Sequence, residues 1–172
     1  MAAEIRAALP GRHVHLVLEN EENDAARLRD AAFDAQWNDD FHNVMHVLLT
    51  GETDAYYADY ADHPAGKLLR ALTEGFVYQG EVSANLGHAR GQKSGHLPPS
   101  AFVNALQNHD QVGNRAFGER LTTLAPEPLL RALTAILLLS PHVPLLFMGQ
   151  EWGETRPFDD RDELAAALEA RS

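Results

Sequence analysis

Ala101-Phe102-Val103-Asn104-Ala105-Leu106-Gln107-Asn108-His109-Asp110 is the stretch that decides the architecture. Residues 101–107 form a short, largely apolar run of strand length, and the next three residues are polar. The same order occurs three more times. The run 13–18 ends at Glu19, 35–38 gives way to Asp39 and Asp40, and 143–148 ends at Gly149-Gln150-Glu151. Helical spacing fills the intervals. Phe41, Val44, Met45, Leu48 and Leu49 recur three and four residues apart until Gly51, with Asp39 and Asp40 expected as N-caps. Residues 65–72 follow Pro64 as an amphipathic helix, 128–140 is a strongly apolar helix, and 25–32 reads as a helix start. Strands alternating with helices predict an α/β fold with a parallel sheet and right-handed crossovers. Polar residues collect just after each strand, as at the C-terminal strand ends of a barrel. The expectation is a partial (β/α)8 TIM barrel of about four βα units.

Outside these units, 2–9 has helical composition and stops at Pro10-Gly11. Residues 79–100 form a long loop rich in glycine, serine and histidine, a length that is usually functional or mobile. Residues 159–172 read as an acidic, alanine-rich helical tail, so the chain divides at 158 into a barrel portion and that tail.

Bulk properties narrow the partners. The 172 residues are 45% hydrophobic and 23% charged, ordinary for a globular chain and unlike a disordered one. Fourteen basic residues against 25 acidic ones give a net charge of -11. Such a surface repels phosphate backbones and anionic lipid, so no nucleic acid and no membrane are expected as partners, while neutral sugars stay open. There is no cysteine, hence no disulfide or thiolate chemistry. The first ten residues lack the apolar core of a signal peptide, and the apolar stretch 129–149 is broken by Arg131, Pro141 and Pro144. These features suit a cytoplasmic protein.

Several side chains could carry chemistry. Glu19 ends the apolar run Leu16-Val17-Leu18, where a carboxyl is partly desolvated, the setting of a general acid. On local sequence alone it reads more readily as a solvated loop residue beside Glu21 and Glu22. Asp110 precedes Gln111-Val112-Gly113-Asn114-Arg115 and is either a ligand-binding carboxylate or a turn or cap residue. Two carboxylates on separate strand ends match the demand of glycoside hydrolysis for acids flanking one bond. His42 and His46 share a helix face, yet the stretch lacks the other donors of a zinc site, so no metal is expected. Asp39, Asp40 and His42 are placed to face a ligand at the helix start. Trp37 and Trp152 serve either as sugar-stacking rings or as core.

Two blocks, 18–24 and 106–115, resemble signature regions of the α-amylase clan of glycoside hydrolases (family 13). Asp34-Ala35-Gln36-Trp37-Asn38-Asp39-Asp40-Phe41-His42, Leu48-Leu49-Thr50-Gly51-Glu52 and 145–154 resemble the maltooligosyltrehalose trehalohydrolase family in particular. The similarity runs from about Val14 to Phe158. It implies the C-terminal half of a catalytic barrel, strands 5 to 8, and hydrolysis of the α-1,4 bond beside the trehalose end of a maltooligosyltrehalose. It further implies retention of configuration and no obligatory cofactor. By the same resemblance Glu19 is the general acid/base and Asp110 the carboxylate that stabilises the transition state. Substrate-binding positions would be Asp39, Asp40, Phe41, His42, Asn43, His109, Gln111, Val112, Gly113 and Asn114.

One departure stands out. The family's nucleophile is an aspartate upstream of the general acid, and none of the 18 residues before Glu19 is an aspartate. The expectation is a half barrel that is inactive alone and whose open edges favour self-association. A non-catalytic α-glucan-binding fragment, or another α-glucan enzyme of the clan, is the alternative reading.

Overall fold

Parallel pairing sets the frame of the structure, a computed structural model that describes residues 2–28 and 32–158. After helix α1 (Ala2–Ala8), four strands form one sheet in chain order: β1 (Val17–Leu18), β2 (Ala35–Trp37), β3 (Phe102–Ala105) and β4 (Val143–Leu145). Every pairing is parallel, with Val17 beside Ala35, Gln36 beside Phe102, and Val103 beside Val143. Parallel neighbours require crossovers. Between β2 and β3 run α2 (Asp39–Thr50) and α3 (Pro64–Glu74). Between β3 and β4 run α4 (His109–Gly113), α5 (Leu121–Leu124) and α6 (Glu127–Leu139). The fold is α/β, a partial (β/α)8 barrel, as the alternation of strands and helices implies.

The strands are shorter than their apolar runs. Because β2 starts only at Ala35, Val17 and Leu18 pair with it in register, and before them Leu16 O accepts from Asp34 N at 2.8 Å and Ala35 N at 3.4 Å. Likewise the ladder with β3 ends at Leu145, and the chain turns at Gly149. Asp39 and Asp40 sit inside the first turn of α2, where their charge favours the helix dipole. The cap itself is Asn38, whose side chain accepts from Phe41 N, and Gly51 closes the helix in the left-handed conformation. The segment 25–32 yields a 3-10 turn, Ala25–Leu28, in its described part. The acidic tail expected over 159–172 lies outside the described residues.

The long loop is more ordered than its composition suggested. Gly80 N donates to Arg90 O at 2.8 Å, Arg90 N to Glu81 O at 2.9 Å, and Val82 bridges Ala89, which makes a small antiparallel hairpin. Gln92 N then ties it to Asn23 O at 3.1 Å.

The apolar stripe of α2 makes the main core. Phe41, Val44 and Met45 are completely buried with Tyr60, Leu106, Leu121 and Leu137, so α2 is clamped between the sheet, α5 and α6. Each such side chain contributes roughly 1.5–3 kcal/mol by burial. A second cluster joins Ala25, Leu28, Phe76, Ala101 and Phe102, with Phe76 edge-on to Phe102 at 5.0 Å. Outer positions of the sheet stay open: Val17 on β1, Val143 on β4, and Leu146 and Met148 just after it are all exposed. Among the described residues, no helix is long and apolar enough to cross a membrane.

Candidate active site

Because the strands run parallel, the residues that follow them emerge at one end of the sheet. Glu19 follows β1, Asp39 follows β2 and Asp110 lies just beyond β3. All three line a single cleft of about 230 Å³, together with Asn43, Tyr60 and Gln111. Asp110 sits in the first turn of α4. That turn is fixed by Asn108, whose side chain accepts from Asp110 N at 2.8 Å, while Gln111 reaches back to Asn108 N at 2.9 Å. His109 is exposed, with Nε2 at 3.5 Å from the Asp110 carboxylate and its ring edge-on to Trp37 at 6.2 Å.

Solvation separates the acids. Glu19 is exposed, so the burial expected beside Leu16-Val17-Leu18 is not found: Val17 is itself exposed, and Leu16 and Leu18 are only half-buried. Asp39 is the desolvated carboxyl. Burial pushes it up to about 6; the Arg90 charge opposes this, and the Asp40 and Glu19 carboxylates add to it.

Four expected binding residues are turned into the protein. Asp40 is 0% exposed, and its carboxylate is fully engaged. It accepts from Val77 N at 2.6 Å, Tyr78 N at 2.9 Å, Asn23 Nδ2 at 2.8 Å and Tyr60 OH at 2.5 Å, and it pairs with Arg90 at 2.9 Å. Phe41 and Val112 are core residues. Helical geometry is the cause: of consecutive positions 39–43, only Asp39 and Asn43, four apart, share the cleft face. His42 points away too, with Nδ1 at 2.8 Å from Leu106 O and Nε2 at 3.3 Å from Tyr57 OH. Burial lowers its pKa to about 3, which keeps the ring neutral. His46 is held by Glu52 at 2.7 Å. Among the described residues no cluster of such groups could hold a metal ion. Gly113 closes α4 at the surface, Asn114 lines a neighbouring cleft, and Trp152 is exposed outside both.

Arg90 is the functional residue that the sequence conceals. Its Nε donates to Glu21 O at 2.5 Å, and its Nη1 reaches Tyr60 OH at 2.7 Å as well as Asp40. The loop after β1 is therefore bolted to the start of α2 through a buried ion pair. Gln36 Nε2 adds a bond to Asn20 O at 2.7 Å. These contacts set where Glu19 stands relative to Asp39. Asp59, also in the cleft, accepts from Ser83 Oγ at 2.5 Å and Asn85 N at 3.1 Å. Partners 24 to 69 residues apart leave no local signature.

A parallel βα sheet with three carboxyls at the C-terminal ends of its strands defines the class: part of a (β/α)8 barrel with its cleft at the strand mouths. No protein-family model matches the chain. Individual relatives do. The malto-oligosyltrehalose trehalohydrolase of Saccharolobus solfataricus is 42% identical over 125 residues, 73% of this chain and 22% of that protein. The one from Deinococcus radiodurans is 40% identical over 174 residues, covering 98% of this chain and 28% of that protein. A crystal structure of a candidate alpha amylase from Salmonella typhimurium superimposes with a TM-score of 0.86 at 49% identity, over 99% of this chain and 31% of that one. The chain resembles the maltooligosyltrehalose trehalohydrolases along nearly all of its own length, and it spans about a quarter of the length of the curated relatives it matches.

Proposed function

We propose that residues 1–158 are the C-terminal half of the catalytic barrel of a glycoside hydrolase that releases trehalose from maltooligosyltrehalose. The observation that carries this reading is the cleft shared by Glu19, Asp39 and Asp110, drawn from three strand ends. In it Glu19 protonates the departing glycosidic oxygen and later takes the proton of the attacking water. Asp110 hydrogen-bonds sugar hydroxyls more strongly as the ring flattens and gains positive charge, which lowers the barrier. Asp39, near half protonation at pH 6, both donates and accepts at a hydroxyl. His109, Gln111 and Asn43 frame the sugar.

None of the 18 residues before Glu19 is an aspartate that could stand for the family's nucleophile, so on this reading the chain alone binds glucan and does not cleave it. The exposed apolar residues at the outer strands are the surface through which it pairs with another half barrel or with itself. Incubation of the chain with maltooligosyltrehalose is expected to release no trehalose; sustained turnover would overturn the inactivity. The 49% identity to a candidate alpha amylase favours a second reading, an α-glucan hydrolase of other product specificity. Product analysis on the completed barrel separates the two: free trehalose supports the first, and only glucose oligomers support the second.

A further inference from the structure

We propose that Asp59 is a positioning residue: it latches the tip of the 80–90 hairpin and so fixes the wall against which a sugar in the carboxylate cleft rests. The proposal rests on the glycan-binding reading above. Asp59 lies in the 3-10 turn Ala55–Tyr60 and borders the cleft, yet it is only 8% exposed. Both of its carboxylate oxygens are engaged by the hairpin tip. Oδ2 accepts from Ser83 Oγ at 2.5 Å, and Oδ1 accepts from Asn85 N at 3.1 Å. The Ser83 hydroxyl oxygen in turn accepts from Leu86 N at 3.0 Å, and Gly87 N returns to Ser83 O at 2.9 Å.

A turn can close on neutral groups alone, whereas a carboxylate withdrawn from water is costly unless donors surround it. Charge-assisted bonds in return hold their geometry more tightly than neutral ones. The anchor of the latch is rigid. Asp59 O accepts from Lys67 Nζ at 2.7 Å and from Tyr78 OH at 3.1 Å, which ties the turn to α3 and to the chain beyond it. The base of the hairpin is held separately, by Arg90 to Glu21 O and by Gln92 N to Asn23 O. Base and tip are therefore pinned to different elements, and Asp59 alone among these anchors governs the tip.

What the latch places is the pair Asn85 and Leu86, which border the same cleft as Glu19 and Asp39. Asn85 is exposed and Leu86 half-buried. An amide beside an apolar side chain meets a hydroxyl and the C–H face of one sugar ring. Asp59 acts through these two side chains, because its own oxygens are turned to the hairpin.

Titration of the 172-residue chain with maltotriose, followed by amide NMR, reads both the dissociation constant and the fold. Asp59→Ala is expected to weaken binding about tenfold, the worth of one sugar hydrogen bond. Asp59→Asn still offers an acceptor to Asn85 N and a donor to Ser83 Oγ, so it should recover most of that loss. The Asn85 amide proton should move upfield in Asp59→Ala, while the Val77 and Tyr78 amides on Asp40 stay in place. The decisive comparison is made in a chain that already carries Asn85→Ala and Leu86→Ala. There Asp59→Ala should weaken binding by less than about twofold, because the contacts it places are already gone. Should Asp59→Ala fail to fold, Ser83→Ala carries the same comparison with an expected loss of about threefold. Wild-type affinity in the latch variant, or a loss that is fully additive with the wall variants, overturns the latch and leaves the glycan-binding reading standing. Failure of the wild-type chain to bind maltotriose overturns both.

Discussion

Replacing Arg90 with methionine removes the bolt between the Glu19 loop and α2, and its cost can be worked from the contacts. The substitution keeps the volume of the aliphatic stem and deletes three hydrogen-bonded contacts, to Glu21 O, Tyr60 OH and Asp40. It also strands the Asp40 carboxylate at 0% exposure without a counter-charge. Breaking one side of a buried pair typically costs about 3–5 kcal/mol. Asp40 keeps four other donors, namely two backbone N–H groups, Asn23 and Tyr60, which still solvate its charge. The lower end, about 3 kcal/mol, is therefore expected. With a urea slope of about 2 kcal/mol/M, the unfolding midpoint falls by about 1.5 M. Arg90→Lys returns the charge without the planar fork and should recover only part of that loss. Urea titration followed by circular dichroism reads both variants. A loss below about 1 kcal/mol for Arg90→Met would falsify the claim that this pair holds the loop.

Gly91→Ala should cost about 3 kcal/mol in the same assay, because the position has φ +83° and a Cβ there would lie 1.9 Å from Tyr78 O; a neutral substitution would mean that the hairpin is not packed as described. Asp39→Asn should stabilise the chain above pH 6 by about 1–2 kcal/mol, after allowance for partial exposure. The raised pKa of Asp39 means that its contribution is fully present below pH 3.8 and lost as pH rises through about 6, so the gain from asparagine must vanish near pH 4; a gain independent of pH contradicts the assignment. His42, with a pKa lowered to about 3 by burial, should show ring NMR shifts that stay flat between pH 5 and 8. Because the unfolded chain takes up a proton below about pH 6.5 and the folded ring does not, His42 subtracts stability as pH falls below that value. A titration step in its signal near pH 6.5 would show that the ring is solvated.

Local patterning exposed much of this. Apolar runs ending in polar clusters located all four strands, and the 3.6-residue period located α2 and α6, because burial on one face dictates both patterns. Strand lengths were overestimated because an apolar run persists beyond the last residue that has a ladder partner. Glu19, Asp39 and Asp110 could be nominated because they follow strands, and parallel pairing does the rest. The division of 39–43 was missed where a continuous block was expected: a helix start cannot present five consecutive side chains to one cleft, and Asp40, Phe41 and His42 turn inward. Arg90, Tyr60 and Asp59 were invisible for another reason. Their partners are far along the chain, and nothing near them in sequence marks a hairpin that closes back over the sheet.

The central claim is that Glu19 and Asp110 act on one sugar across the cleft, and the most direct test supplies the missing half. A chimera that places the first four βα units of the Deinococcus radiodurans relative before this chain is assayed for trehalose release from maltooligosyltrehalose. The account predicts turnover that falls about 10²–10⁴-fold with Glu19→Gln and by a comparable factor with Asp110→Asn, with the fold retained in both. Turnover that persists undiminished in either variant would contradict it.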